Sequence, residues 1–123
     1  MKVIICENYD ELSQKAFEVM KEVVTSKENP VLGLATGSSP IGLYKCMIKD
    51  HQENGTDYSK VTTFNLDEYV GLDRNHSQTY YTFMHENLFE GIEIPEENVH
   101  LPLGNGDLEQ NCADYEKAME DYA

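Results

Sequence analysis

Cationic residues are scarce in this chain of 123 residues, where 9 Lys+Arg stand against 23 Asp+Glu for a formal net charge of −14. Nucleic-acid binding rests on Lys and Arg clustered against phosphates, so the composition excludes that class. Docking on anionic membrane surfaces is excluded on the same ground. Long apolar runs are missing as well. No segment approaches the ~20 residues of a membrane-spanning helix, and the opening MKVIICENYD turns polar too soon for a secretory signal. Cysteine is sparse: Cys6, Cys46 and Cys112 are odd in number and widely spaced. They match neither a disulfide framework nor a metal knuckle, which points to a reducing, cytoplasmic setting. Repeats and low-complexity linkers are absent.

What is present suits one folded unit, because 40% of the residues are apolar and the length fits a single core of ~100–150 residues. The charge is unevenly spread. Residues 1–61 hold 7 basic and 9 acidic groups, net −2, whereas residues 62–123 hold 2 basic (Arg74, Lys117) and 14 acidic, net −12. The acidic half also carries Phe64, Tyr69, Tyr80, Tyr81, Phe83, Leu88, Phe89 and Tyr115, too much apolar payload for disorder. It is a folded half with an acidic surface.

Val3-Ile4-Ile5 reads as a short buried strand. Asn8 and Asp10 supply capping oxygens for a helix over Glu11–Lys27, with Leu12, Ala16, Val19, Met20 and Val23 on one stripe. Val31–Ala35 is apolar throughout, as expected of a parallel strand covered on both faces. A helix follows Pro40 and ends at Asn54-Gly55. Val61–Asn65 predicts a third strand, Ser77–Phe89 a helix, Glu97–Leu101 a short strand. Asn105-Gly106-Asp107 turns the chain into a last helix bearing Leu108, Cys112, Tyr115, Met119 and Tyr122. Strands alternating with helices predict an α/β sandwich with a mainly parallel sheet. The last helix has an apolar stripe but no strand after it, so the architecture reads as cut short.

In such sheets, sites lie beyond the carboxyl ends of strands. The first such end is Thr36-Gly37-Ser38-Ser39 before Pro40. A helix N-terminus offers unpaired N–H groups and partial positive charge, Gly37 permits close approach, and the hydroxyls add donors. That suits a phosphate, though the same residues also suit a plain turn and cap. The loop lacks the lysine and the glycine spacing of nucleotide-binding loops. The second end is Asn65-Leu66-Asp67-Glu68-Tyr69. A carboxylate partly withdrawn from water makes a general base, and alternation sends only one of Asp67 and Glu68 into a pocket. A solvated acidic turn is the competing account. His51, His76, His85 and His100 lack metal-ligand spacing, and His51 reads as an exposed helix end. Ser38 and Ser39 have no general base nearby in sequence, and Tyr80-Tyr81 with Phe83 suits core packing. The residues alone thus reach a small anionic ligand beside an Asp.

Taken together, Leu32–Pro40, Thr63–Leu72 and His76–Met84 resemble glucosamine-6-phosphate deaminase in order, spacing and wording, and the likeness runs the length of the chain. The resemblance implies a Rossmann-like three-layer sandwich. It also implies a reaction: D-glucosamine 6-phosphate and water give D-fructose 6-phosphate and ammonia. The ring opens, a proton moves from C2 to C1 through a cis-enolamine, and ammonium leaves. Asp67 matches the family's base, while Thr36, Gly37, Ser38 and Ser39 match its phosphate- and sugar-binding loop. Glu68, Tyr69 and Tyr80 are expected at the pocket, with no chemical step assigned to Glu68. No metal or organic cofactor is implied, the partner is a sugar phosphate, and association into a homo-oligomer is expected. The implied class is hydrolase, in amino-sugar catabolism.

The related 6-phosphogluconolactonases share an Asp-Glu pair but continue with Arg and Pro where this chain has Tyr69-Val70-Gly71-Leu72, so the deaminase pattern fits better. The chain also departs from the deaminase pattern. The family's Asp-Gly-His segment, its downstream Glu for ring opening and its phosphate-gripping cations have no match in residues 1–123. The expectation is therefore an N-terminal portion of one α/β domain, inactive alone. A non-catalytic interaction module of the same fold and a lactonase-like sugar-phosphate hydrolase are the alternatives.

Overall fold

The computed structural model describes residues 3–122. Helix α1 (Tyr9–Ser26) starts where the Asn8 side chain accepts the Glu11 N–H at 2.8 Å. Strand β1 (Val31–Leu34) leads into α2 (Ile41–Asn54), which follows Pro40 and stops at Gly55, whose φ of 70° suits a residue without a Cβ. Strand β2 (Thr62–Asn65) precedes α3 (Tyr80–Met84), a π turn (His85–Phe89) and α4 (Glu90–Ile92). A 3₁₀ turn (Glu96–Asn98) enters β3 (Val99–His100), and α5 (Leu108–Asp121) begins where Asp107 accepts the Gln110 N–H. The three strands form a parallel sheet in the order β1-β2-β3. No helix among the described residues is long and apolar enough to cross a membrane.

Pairing of Leu32 with Thr63 and Thr63 with Val99 puts these side chains on one face of the sheet. That face joins Tyr44 and Met47 of α2 and Met84, Leu88 and Ile92 beyond β2 in a core where each helical side chain is almost fully buried. On the opposite face, Phe64 stacks on His100 at 4.4 Å and meets Tyr115 and Tyr122 edge-on, so α5 covers β2 and β3.

Three expectations need correction. Val3-Ile4-Ile5 forms no strand: a strand exists only when a neighbouring edge takes up its backbone groups, and residues 3–6 have no such neighbour. Val3 and Ile5 are 72% and 90% exposed. The fully buried residues of α1 are Ser13, Phe17 and Val24; Met20 and Val23 of the expected stripe pack against the core, while Leu12 and Val19 face outward. The cause is a close helix–helix approach, since a Cβ on Gly42 of α2 would lie 2.1 Å from Ser13 Oγ. Finally, β1 is covered on one face only. Leu32 and Leu34 are buried, whereas Val31 is 41% exposed and Gly33 is open.

Candidate functional site

The loop after β1 is held from both sides. The buried Tyr44 hydroxyl donates to the Ala35 carbonyl and accepts the Ala35 N–H at 3.2 Å, fixing the strand's exit. Burial pushes that phenol up to about 12. Beyond it Gly37 takes φ 96°, which only glycine adopts without strain, and the loop turns into α2. Tyr9 pins the far end: its hydroxyl donates to the Ser39 carbonyl at 2.9 Å and accepts the Gly42 N–H at 2.8 Å. One helix N-terminal donor is thereby already used. Gly37, Ser38 and Ser39 are exposed, and Thr36 is half-buried.

The loop after β2 is built on Asn65. Its side-chain amide donates to the Leu34 carbonyl at 3.1 Å, tying the carboxyl ends of β1 and β2 together. Its own carbonyl accepts the Tyr115 hydroxyl at 2.5 Å, a hydroxyl that also lies 3.1 Å from the His100 carbonyl. Burial pushes the Tyr115 phenol up to about 12. Asp67 is exposed and accepts no hydrogen bond among the described residues. Glu68 has a different task. Its carboxylate accepts the N–H groups of Tyr69 at 2.9 Å, Tyr80 at 2.8 Å and Tyr81 at 3.0 Å, capping α3 where the helix dipole favours an anion.

Tyr80 joins the two loops. Its ring lies 4.7 Å from that of Tyr69. The neighbouring Tyr69 hydroxyl, with the Asp67 charge, holds the Tyr80 phenol above its ordinary value, and Thr36 acts the other way. With the Asn65 side chain bonded to the Leu34 carbonyl, the Thr36 loop and the Asp67 loop leave the sheet side by side at the carboxyl ends of β1 and β2. A third contact shapes the loop. A Cβ on Gly104 would sit 1.8 Å from the Tyr69 carbonyl oxygen, and the Gly71 N–H donates to the Gly104 carbonyl at 2.7 Å.

A cavity of about 430 Å³ opens on the α5 side of this loop, lined among others by Asp67, Leu66, Leu108, Cys112 and Met119. Thr36, Gly37, Ser38, Ser39, Tyr69 and Tyr80 do not line it. Asp67 therefore stands between an apolar groove and the hydroxyl-rich loop.

Three of the four histidines have hydrogen-bond partners, and His100 stacks on Phe64 with its Nε2 unpartnered among the described residues. His51 is not an exposed helix end; its ring reaches the Thr56 carbonyl at 2.7 Å and Glu93 at 2.8 Å, bonds that raise its pKa. His85 meets Glu96 at 2.6 Å, and His76 accepts the Gln78 N–H. Arg74 donates to the Leu101 carbonyl at 2.7 Å and lies 4.8 Å over the Tyr81 ring, away from the Thr36 loop. No group of three or more His, Cys, Asp or Glu among the described residues is arranged for a metal. Sequence reasoning passed over Tyr9, Tyr44, Asn65 and Gly104 as holders of the loops. Only the unbroken apolar spacing of α2 around Tyr44 offered a local signal.

Comparison with known proteins bears on the family and the fold. The family described as glucosamine-6-phosphate isomerases/6-phosphogluconolactonase matches residues 7–123. A glucosamine-6-phosphate deaminase of Thermoanaerobacter sp. is 51% identical over 121 residues, covering 98% of this chain and 48% of the relative. The solved structure of a monomeric glucosamine-6-phosphate deaminase superposes with a TM-score of 0.95 at 37% identity, covering 99% of this chain and 51% of that one. A 6-phosphogluconolactonase structure from Thermotoga maritima superposes at 0.76 with 19% identity, a likeness of fold alone. The chain spans about half the length of the curated relatives it matches. The expected class of hydrolase is corrected: the close relatives are named deaminases, and the matching family is described first by its isomerases.

Proposed function

The chain belongs to the glucosamine-6-phosphate isomerase/6-phosphogluconolactonase family, and on that premise we propose that it carries the base and the phosphate loop of a glucosamine-6-phosphate deaminase. The observation that supports the reading is that the Thr36–Ser39 loop and the Asp67 loop leave the carboxyl ends of two adjacent parallel strands, which the Asn65 side chain ties together. Such strand ends are where α/β sheets bind small ligands.

The chemistry follows from the groups present. The exposed Thr36–Ser39 loop offers hydroxyls and backbone N–H groups to a phosphate. With the phosphate anchored there, the sugar chain lies toward Asp67. The Asp67 carboxylate takes the proton from C2 of the open-chain amino sugar, giving the enolamine, and returns it to C1, giving an imine at C2; water then adds to C2 and ammonia leaves, giving the ketose. Asp67 suits this task because Glu68, not Asp67, is engaged in capping α3. Glu68 and Asn65 hold the loop without touching the reacting carbons. The substrate is accordingly D-glucosamine 6-phosphate and the product D-fructose 6-phosphate.

The test is Asp67→Asn in this chain joined to the remaining half of the Thermoanaerobacter relative. The amide keeps the shape but cannot take the proton, so kcat falls about a thousandfold while KM stays within a few-fold. Near-parental turnover would overturn the role. The 123-residue chain alone is expected to release negligible ammonia from glucosamine 6-phosphate.

A further inference from the structure

The connection between α4 and β3 is gripped by two histidines from other elements. It runs from Glu93, which closes α4, through Glu96, which opens the 3₁₀ turn into β3. His51, in the last turn of α2, places Nε2 2.8 Å from the Glu93 carboxylate and Nδ1 2.7 Å from the Thr56 carbonyl. His85, in the π turn, places Nε2 2.6 Å from the Glu96 carboxylate and Nδ1 2.9 Å from the Tyr81 carbonyl. Carbonyls and carboxylates only accept, so each ring makes both bonds only with a proton on each nitrogen. A neutral ring has one N–H. With that N–H on the backbone carbonyl, the Nε2 lone pair faces a carboxylate, and attraction turns to repulsion.

Glu93 is poised to leave. It stands at φ 53° and ψ 37°, the one non-glycine residue with positive φ among the described residues. A residue with a Cβ holds that left-handed geometry at a cost in strain. The Glu93 and Glu96 side chains are 79% and 60% exposed, so water replaces either histidine readily. Other holds keep the opening local: Ile94 is buried in the core, and the Asn98 side chain donates to the Ser59 carbonyl at 2.9 Å.

The remaining groups around the rings are few. Asp57 adds negative charge near His51, and the Tyr58 ring meets it edge-on at 6.1 Å. The rings of Tyr81 and Phe89 lie 4.2 and 5.2 Å from that of His85. The Tyr81 hydroxyl donates to the other Glu96 oxygen, and the Arg74 guanidinium lies over the Tyr81 ring. The bonds to Thr56 and Glu93 raise the pKa of His51 above its ordinary 6.5 against the effect of burial. A raised folded-state pKa gives stability that is complete below the unfolded value and is lost as pH rises through the folded one.

We propose that His51 and His85 are proton-dependent clips on the Glu93–Asn98 connection, closed while each ring carries two N–H groups and open once Nε2 loses its proton. The entry to β3 is thereby a pH-sensitive element, firm in mild acid and loosened in mild alkali.

The test is an NMR titration of the full chain from about pH 5.5 to about pH 9, reading ring nitrogens and amide hydrogen exchange. Both rings are expected to carry two N–H groups at the acid end, with His51 titrating above 6.5. Across that step, protection of the Glu93, Asn98 and Val99 amides falls about twofold to fivefold after correction for intrinsic exchange, the range an exposed ion pair supports. Those amides donate to the carbonyls of Glu90, Pro95 and Glu96. The Thr62 amide, bonded to the Pro30 carbonyl, keeps its protection. In the double variant Glu93→Gln with Glu96→Gln, each amide pairs with either form of the ring, so the step disappears and His51 titrates lower. His51 titrating at or below 6.5 in the parent would overturn the proposal. So would unchanged protection of the three amides across the titration, or a step of equal size in the double variant.

Discussion

The Tyr80 N–H donates to the Glu68 carboxylate across 2.8 Å, tying the first turn of α3 to the loop that carries Asp67. The neighbouring Tyr81 N–H donates to the same carboxylate at 3.0 Å. Two helix donors that would otherwise be orphaned are satisfied by one side chain from another element. Glu68→Ala is expected to cost about 1–2 kcal/mol, as for loss of a strong cap, and Glu68→Gln less, because one acceptor oxygen remains. Urea unfolding of the two variants measures this ranking. Equal stability of Glu68→Ala and the parent would remove the capping role.

Gly104 tests how tightly the Asp67 loop is seated. Its alanine variant would place a methyl carbon 1.8 Å from the Tyr69 carbonyl oxygen, so the loop must shift. The expected destabilisation is about 1–3 kcal/mol, the usual range for overpacking. The Tyr69–Val70 amides should move in a two-dimensional NMR spectrum of Gly104→Ala, while the α1 amides stay in place.

Tyr9 tests the other loop. Its hydroxyl bridges the Ser39 carbonyl and the Gly42 N–H, so Tyr9→Phe removes both bonds at little cost in shape. A loss of about 1 kcal/mol is expected in thermal or urea unfolding. Faster amide hydrogen exchange is expected at Gly42, a change that lost ring packing alone would not produce.

Asp50 sets an acid limit. Burial works to raise its pKa, but hydrogen bonds from Lys21, Thr56 and Asn54 hold it down to about 2, against an ordinary 3.8. The Lys21 ammonium lies 2.8 Å away. A folded-state pKa below the unfolded one stabilises the protein at pH above the unfolded value. That contribution, on the order of 2 kcal/mol, fades as pH falls from about 4 toward 2. Asp50→Asn should therefore flatten the pH dependence of stability across that window and lower stability at neutral pH. An unchanged slope below pH 4 would contradict the assignment.

Elements marked by local chemistry could be read directly from the chain. Pro40 and Gly55 bound α2, Asp107 starts α5, and β2 follows the expected Val61–Asn65 segment almost residue for residue. Features that depend on a distant partner could not. Val3–Ile5 has strand composition but no edge to pair with, and α1 presents Ser13 rather than Leu12 inward because Gly42 admits Ser13 there. The π turn at His85–Phe89 has no local marker. At the site, Asp67 and the Thr36–Ser39 loop stood out by residue type, yet Glu68 reads as a second acid in sequence and acts as a helix cap in space. Asn65 and Tyr44 act through contacts with backbone oxygens of Leu34 and Ala35, which spacing along the chain does not reveal.

The central claim is that one ligand with a phosphate group occupies both strand ends at once. The direct measurement is an amide NMR titration of the 123-residue chain with D-fructose 6-phosphate, the product. The account predicts shifts confined to Thr36–Gly42 and Leu66–Tyr69, with those at Thr36–Gly42 reproduced by inorganic phosphate alone. Absence of shifts at saturating ligand, or shifts centred on the α5 groove, would contradict it.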